Sequence, residues 1–100
     1  MKTSIFKVII SDIFKHTSTR AEGIQAREQL LQLLKTHEKL ALDFAYTQTT
    51  VSFIDECLGV LGENMGREIF NNKIILENIS PTLKSLLTHI MTRRLGTPWQ

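Results

Sequence analysis

Three polar residues, Asp12, Asp43 and Asn78, each stand at or just past the end of a short apolar run, over residues 5–10, 39–44 and 73–77. If the runs are strands of one parallel sheet, their C-terminal ends share an edge, where ligands of open α/β folds bind. Carboxylates there suit magnesium, so a phosphoacceptor centre is one reading. Turn chemistry gives a plainer one, because Asp and Asn end strands by bonding nearby backbone. No lysine in a fitting context accompanies them, and no metal is assigned. His16, His37 and His89 have no paired spacing, which argues against zinc. Cys57 falls among apolar helical residues with no base beside it, the setting of an inert buried thiol. Gly59, Gly62 and Gly66 lie within or after a helical pattern, not between strand and helix, so they form no phosphate loop. No catalytic residue is assigned and no cofactor is expected; the chain reads as a non-enzyme.

The helix predicted to follow the second strand offers a different chemistry, that of recognition. Phe53, Ile54, Cys57, Leu58, Val60, Leu61 and Met65 spread round more of its circumference than one sheet contact requires. Between them runs a strip of Ser52, Asp55, Glu56, Gly59 and Gly62. A helix-interior glycine costs roughly 1 kcal/mol against alanine, so its presence implies close approach of something to the backbone. Tight internal packing would explain it; so would a docking face. The second reading makes Ser52, Asp55, Glu56 and Gly59 a partly exposed partner-binding strip.

The elements that must position these residues follow from pattern. Residues 5–10 are β-branched and short, and Ser11-Asp12 ends them. A polar loop leads to Thr19 and Glu22 at capping-box spacing, and a helix is predicted to about Thr36, with Ile24, Ala26, Leu30, Leu31, Leu33 and Leu34 on one face. A second strand covers 39–44, and a Thr-rich loop follows. Ser52 is predicted to cap the second helix, which Gly66 stops. After the third strand, Ser80-Pro81 gives a cap with proline at the first helical position. Leu83, Leu86, Leu87, Ile90 and Met91 then recur at helical spacing.

The result is a small single-domain α/β chain, β-α-β-α-β-α, in which alternation favours a mostly parallel sheet. Phe6, Val8 and Ile10, Leu40, Leu42 and Phe44, and Ile74 and Leu76 make wholly apolar strand faces, while the opposite faces mix Lys7, Asp43, Lys73 and Glu77 with isoleucines. A doubly covered sheet needs both faces apolar, so the helices are expected mainly on one face. The domain should span 1–96, with a tail at 97–100.

Composition bounds the function. One hundred residues, 42% hydrophobic and 22% charged, suit one globular domain. A net charge of +2 with dispersed Lys and Arg argues against nucleic acid. No run approaches the roughly 18 apolar residues of a membrane span. The start lacks a signal-peptide core and the single cysteine permits no internal disulfide, so a cytoplasmic location is expected.

Leu42-Asp43-Phe44, the short loop, Ser52-Phe53-Ile54-Asp55-Glu56, Leu58-Gly59, and Asn78 before a Pro81-started helix together resemble the STAS-like domain-of-unknown-function family. That family is distantly similar to STAS domains, including bacterial anti-sigma factor antagonists. The resemblance implies a STAS-like fold and a regulatory, protein-binding role in signalling, with a histidine-kinase-like ATPase as partner. Counting from Asp43 without gaps, Ser52 takes the place of the antagonists' phosphorylated serine. The Asp-Ser-Ser-Gly switch motif itself is absent: Val51 replaces the aspartate, and Phe53-Ile54 replace the second serine and the glycine. Two alternatives stand beside this adaptor reading. One is a phage- or mobile-element-encoded inhibitor, or a homo-oligomer, using the same surface; the other is a receiver-like phosphoacceptor built on the strand-end carboxylates.

Overall fold

The computed structural model describes residues 4–96; the expected tail at 97–100 lies outside the described residues. Three strands, β1 (Ile5–Ile9), β2 (Lys39–Asp43) and β3 (Ile74–Glu77), form one sheet in the order β1-β2-β3. Both pairings are parallel, with Val8 beside Leu42 and Leu42 beside Leu76. The chain steps the same way across the sheet at both crossovers. Right-handed crossovers that step the same way fall on the same side, which accounts for a single helical layer.

That layer buries the all-apolar strand face. Val8, Leu40 and Leu42 are fully buried in a core with Leu30, Phe53, Leu58, Leu61, Phe70, Leu87 and Ile90. On the opposite face Ile5, Lys7 and Ile9 are exposed, as the mixed pattern predicts.

Helix α1 (Ile10–Ile13) is a single turn where a loop was expected, and it turns Ile10 into the core rather than ending the strand. Helix α2 (Arg20–Thr36) starts on the predicted capping box: Glu22 N–H donates to Thr19 Oγ1 at 3.1 Å, and Thr19 N–H donates to Glu22 Oε1 at 3.0 Å. The backbone N–H of Ser18 foremost, at 3.1 Å, and that of Thr19 hold the Glu22 carboxyl below its ordinary range. Its buried face is Gly23, Ala26 and Leu30, whereas Ile24 and Leu31 are exposed, contrary to expectation. The reason is what lies alongside: α2 presses its Gly23 edge against the next helix.

That helix runs over 51–65 in three parts: α3 (Val51–Ile54), a π-helical turn (Asp55–Gly59) and α4 (Val60–Met65). Gly66, with φ of 89°, breaks it, and a further helix missed in the sequence, α5 (Arg67–Lys73), seats Phe70 in the core before β3. Helix α6 (Pro81–Leu95) begins as predicted, with Ser80 Oγ accepting from Leu83 N–H at 3.1 Å, and it ends at Gly96 with φ of 74°.

Candidate functional site

The site is built where β2 hands the chain to the 51–65 helix. Asp43 Oδ1 accepts from Ala45 N–H and from Asn78 Nδ2, both at 2.9 Å. These bonds, chiefly that from Asn78, and the nearby Lys7 ammonium hold the Asp43 carboxyl below its usual range. Of the strand-end trio, Asp43 and Asn78 therefore meet, as a clamp between two loops. Asn78 adopts φ of 55° to do so. Asp12 lies exposed on α1.

Loop 44–50 is tied down at both ends. Thr47 N–H donates to the Phe44 carbonyl at 3.2 Å, and Thr17 Oγ1 donates to the Gln48 carbonyl at 2.6 Å. Between these ties Tyr46 stands fully exposed with φ of 58°, a left-handed conformation uncommon for a bulky residue. Thr50 caps the helix: its Oγ1 accepts from Phe53 N–H at 3.2 Å and donates to the Ser18 carbonyl at 2.6 Å. This corrects the expected cap. Ser52 lies inside the first turn, half-buried. Asp55 three residues on imitates a capping pair, but its carboxylate is drawn inward by arginines.

Asp55, in the π-helical turn, is held by three arginine bonds from two helices. Arg94 of α6 grips it with two bonds, Nε to Oδ1 at 2.7 Å and Nη2 to Oδ2 at 2.9 Å. Arg20 of α2 adds Nη1 to Oδ2 at 3.1 Å. The Arg94 bonds foremost hold the Asp55 carboxyl at about 2 against the opposing pull of burial. Glu56 Oε2 receives Arg20 at 3.2 Å and Oε1 receives Arg27 at 3.3 Å; Arg27 also donates to the Glu56 carbonyl. Arg94 reaches on to Glu63 at 2.8 Å. Three arginines and three carboxylates thus bind α2 and α6 to the 51–65 helix.

The glycines serve the same convergence. A Cβ on Gly59 would stand 2.8 Å from Ile90 Cγ2 and 3.0 Å from Asp55 Oδ1, and one on Gly23 would stand 2.7 Å from the Phe53 carbonyl oxygen. Both are closer than side chains tolerate. The π-helical turn coincides with these two approaches, consistent with the tendency of such turns to mark functional or strained segments.

The predicted strip is therefore one contiguous side of one helix, but it is not exposed throughout. Asp55 and Gly59 are buried within the chain, while Ser52 and Glu56 are half-buried. The expectation of a bare backbone patch at Gly59 is corrected: α6 occupies it. Sequence reading missed Arg20, Arg27, Arg94 and Glu63. The signal was there in part, since Arg20 and Arg27 are seven apart and share a helical face.

What remains accessible is a rim of Val51, half-exposed at 51%, Ser52, Glu56 and the outer side of Arg20. Apolar, hydroxyl, anionic and cationic groups lie side by side on a braced helix start, an arrangement suited to recognition. Cys57 beneath it is buried, and burial pushes its thiol up to about 12, which leaves it un-nucleophilic. His37 is occupied structurally, stacked on Phe6 with ring centroids 4.5 Å apart and within 3.2 Å of Ser4 Oγ.

A parallel α/β sheet covered on one side, with a braced helix start beside its C-terminal edge, defines a small α/β module whose prominent surface is a helix end. The chain belongs to the family described as the STAS-like domain of unknown function, whose sequence model matches residues 22–84. The matched stretch includes β2, the 51–65 helix, α5 and β3. No curated protein and no solved structure matches the chain. Among the described residues no helix is long and apolar enough to cross a membrane.

Proposed function

We propose that this chain is a non-enzymatic protein-interaction module, a regulatory adaptor that docks through the start of α3 on a histidine-kinase-like ATPase or a similar signalling partner. The observation that carries the reading is the contrast at that helix start. Asp55, Glu56 and Gly59 are fixed from beneath by α2 and α6, while Val51 stands out beside Ser52. A rigid, amphipathic rim loses little side-chain freedom on binding, which favours affinity. Family membership adds weight, because STAS antagonists, which the family resembles, dock on such ATPases and carry their switch serine at the start of the equivalent helix. In this reading Ser52 and Glu56 touch the partner, and Asp55 and Gly59 shape the rim from inside. The partner is cytoplasmic, and so is the complex.

The test is calorimetry of the purified chain against each histidine-kinase-like ATPase encoded in the same genome. One should bind. Val51→Arg should then weaken binding by about tenfold or more, as loss of a central apolar contact does. Leu31→Arg, on the exposed side of α2, should leave affinity unchanged. Absence of binding to all of them, or equal binding by the Val51 variant, overturns the reading. Intact-mass measurement of the complex with ATP reads out Ser52 phosphorylation directly.

A further inference from the structure

The bare face of the sheet carries a pattern that the α3 rim does not use. The register arranges its residues in three rows across the strands. At the N-terminal edge stand Lys39 and, just before Ile74, Lys73. At the C-terminal edge stand Asp43 and Glu77. Ile5, at 57% exposure, completes the N-terminal row beside Lys39, Ile9 completes the C-terminal row beside Asp43, and half-buried Ile75 stands in the middle row. The centre is floored by Ala41, only 5% exposed although no larger than a methyl group; its neighbours Lys7 and Ile75 stand above it on either side. The face is thus a shallow apolar trough with cations at one end and anions at the other.

Such a face is complementary to itself. A two-fold axis in the plane of contact and perpendicular to the strands reverses strand direction while keeping β3 over β3. It brings Lys73 of one copy over Glu77 of the other, twice, and Ile75 over Ile75. Lys39 meets Asp43 in the same way, more weakly, because Asp43 Oδ1 is already engaged by Asn78 and Ala45. Glu77 is the freer anion, its side chain 40% exposed. A two-fold axis along the strands would instead set lysine row on lysine row. Lys7 meets its own counterpart near the axis side, but its ammonium leans 3.6 Å from both Asp43 and Glu77 and is partly neutralised by them.

We infer that this protein self-associates through the bare sheet face as an antiparallel, face-to-face dimer whose specificity lies in the Lys73–Glu77 pairs. Isologous pairing of this kind is the commonest oligomer symmetry, and aligned sheet-on-sheet packing at about 10 Å gives the geometry. The footprint is small: three strands about 4.8 Å apart and five residues long at about 3.3 Å each. That lies below the roughly 800 Å² per partner of a standard interface. The dimer is therefore weak, with a dissociation constant on the order of 0.1 mM, and local concentration controls it.

The experiment is sedimentation equilibrium of the full chain from ~10 µM to ~1 mM, bracketing that constant. Wild type should pass from monomer to dimer. Glu77→Lys and Lys73→Glu should each weaken self-association by about tenfold, since each sets two like-charge pairs across the axis. Mixing the two variants should restore dimerisation, because both pairs are then opposite in sign. The two changes combined in one chain should restore it as well. A wild type that stays monomeric throughout overturns the inference and leaves the face to another protein. A dimer that ignores both reversals, or a mixture that fails to associate, overturns it equally. Circular dichroism of each variant establishes that folding is intact.

Discussion

The two faces of the sheet are made by the same fourteen strand residues, yet they obey different rules. On the covered face Val8, Leu40 and Leu42 lose all contact with water. On the bare face each isoleucine has a charged neighbour, and Lys7 spans to Asp43 and Glu77 across two strands. All-parallel sheets are usually covered on both sides. Here both crossovers step in one direction, so one layer is all that handedness permits. The bare side is kept from indiscriminate sticking by charges placed among its apolar residues. Covering, then, is decided by topology, and composition follows it residue by residue.

The largest effect that would sharpen this contrast is Leu42→Ala. The side chain is fully buried at the centre of the sheet, and such truncations cost about 2–5 kcal/mol. Urea titration checks it. Next comes the helical layer's ionic brace. Asp55→Asn leaves Arg94 with one of its two bonds to residue 55 and should cost about 3 kcal/mol. The same brace gives a pH signature. The folded Asp55 carboxyl is held at about 2, below its ordinary value of 3.8. A depressed carboxylate stabilises the fold fully above the unfolded value, and that contribution is lost as pH falls from about 4 through 2. It amounts to roughly 2 kcal/mol. Asp43, shifted in the same direction, adds to the loss in the same acid range. Thermal melts at pH 6 and pH 2.5 should differ by more in wild type than in Asp55→Asn.

The parts of this architecture that were legible in the sequence are those fixed by local rules. Strand alternation placed all three strands to within a residue of their ends, and Thr19/Glu22 and Ser80-Pro81 marked two helix starts. What local rules could not reach is set by neighbours distant in sequence. Thr50 outcompetes Ser52 as a cap because the Ser18 carbonyl lies beside it. Asp55 reads as a first-turn surface acid until Arg94, 39 residues on, closes over it. Helix α5 is seven residues long, too short to display a helical period. Ile24 and Leu31 scored as core because periodicity cannot tell which edge of a stripe the neighbour occupies.

Gly59 tests how closely the layer is packed. Alanine in a helix is intrinsically favoured over glycine by roughly 1 kcal/mol. At Gly59 the added methyl would meet Ile90 and the Asp55 carboxylate at 2.8 and 3.0 Å, and overpacking of that kind costs about 1–3 kcal/mol. Gly59→Ala should therefore destabilise by about 1 kcal/mol net, as a chemical melt would record. A stabilised variant would mean that α6 yields and the brace is loose.

The smallest effect belongs to the bare face, and its size is the point. Ile5 is 57% exposed at the outer strand, where only part of its surface leaves water on folding. Ile5→Thr keeps a β-branched side chain and with it the strand preference. What it removes is apolar area that was mostly wet, so the cost in a dilute monomer should stay within about 0.5 kcal/mol, as for surface substitutions generally. Association changes the expectation in one direction only. At concentrations where two copies meet, Ile5 lies over Ile9 of the other copy, and its apolar surface becomes buried at about 25 cal/mol per Å². Ligand-like stabilisation by a second copy grows with concentration. Melting temperatures of wild type and Ile5→Thr should thus coincide when dilute and separate, with wild type higher, as concentration rises. A gap that is large at every concentration would place Ile5 under cover within the monomer, and the two faces of the sheet would no longer differ in kind.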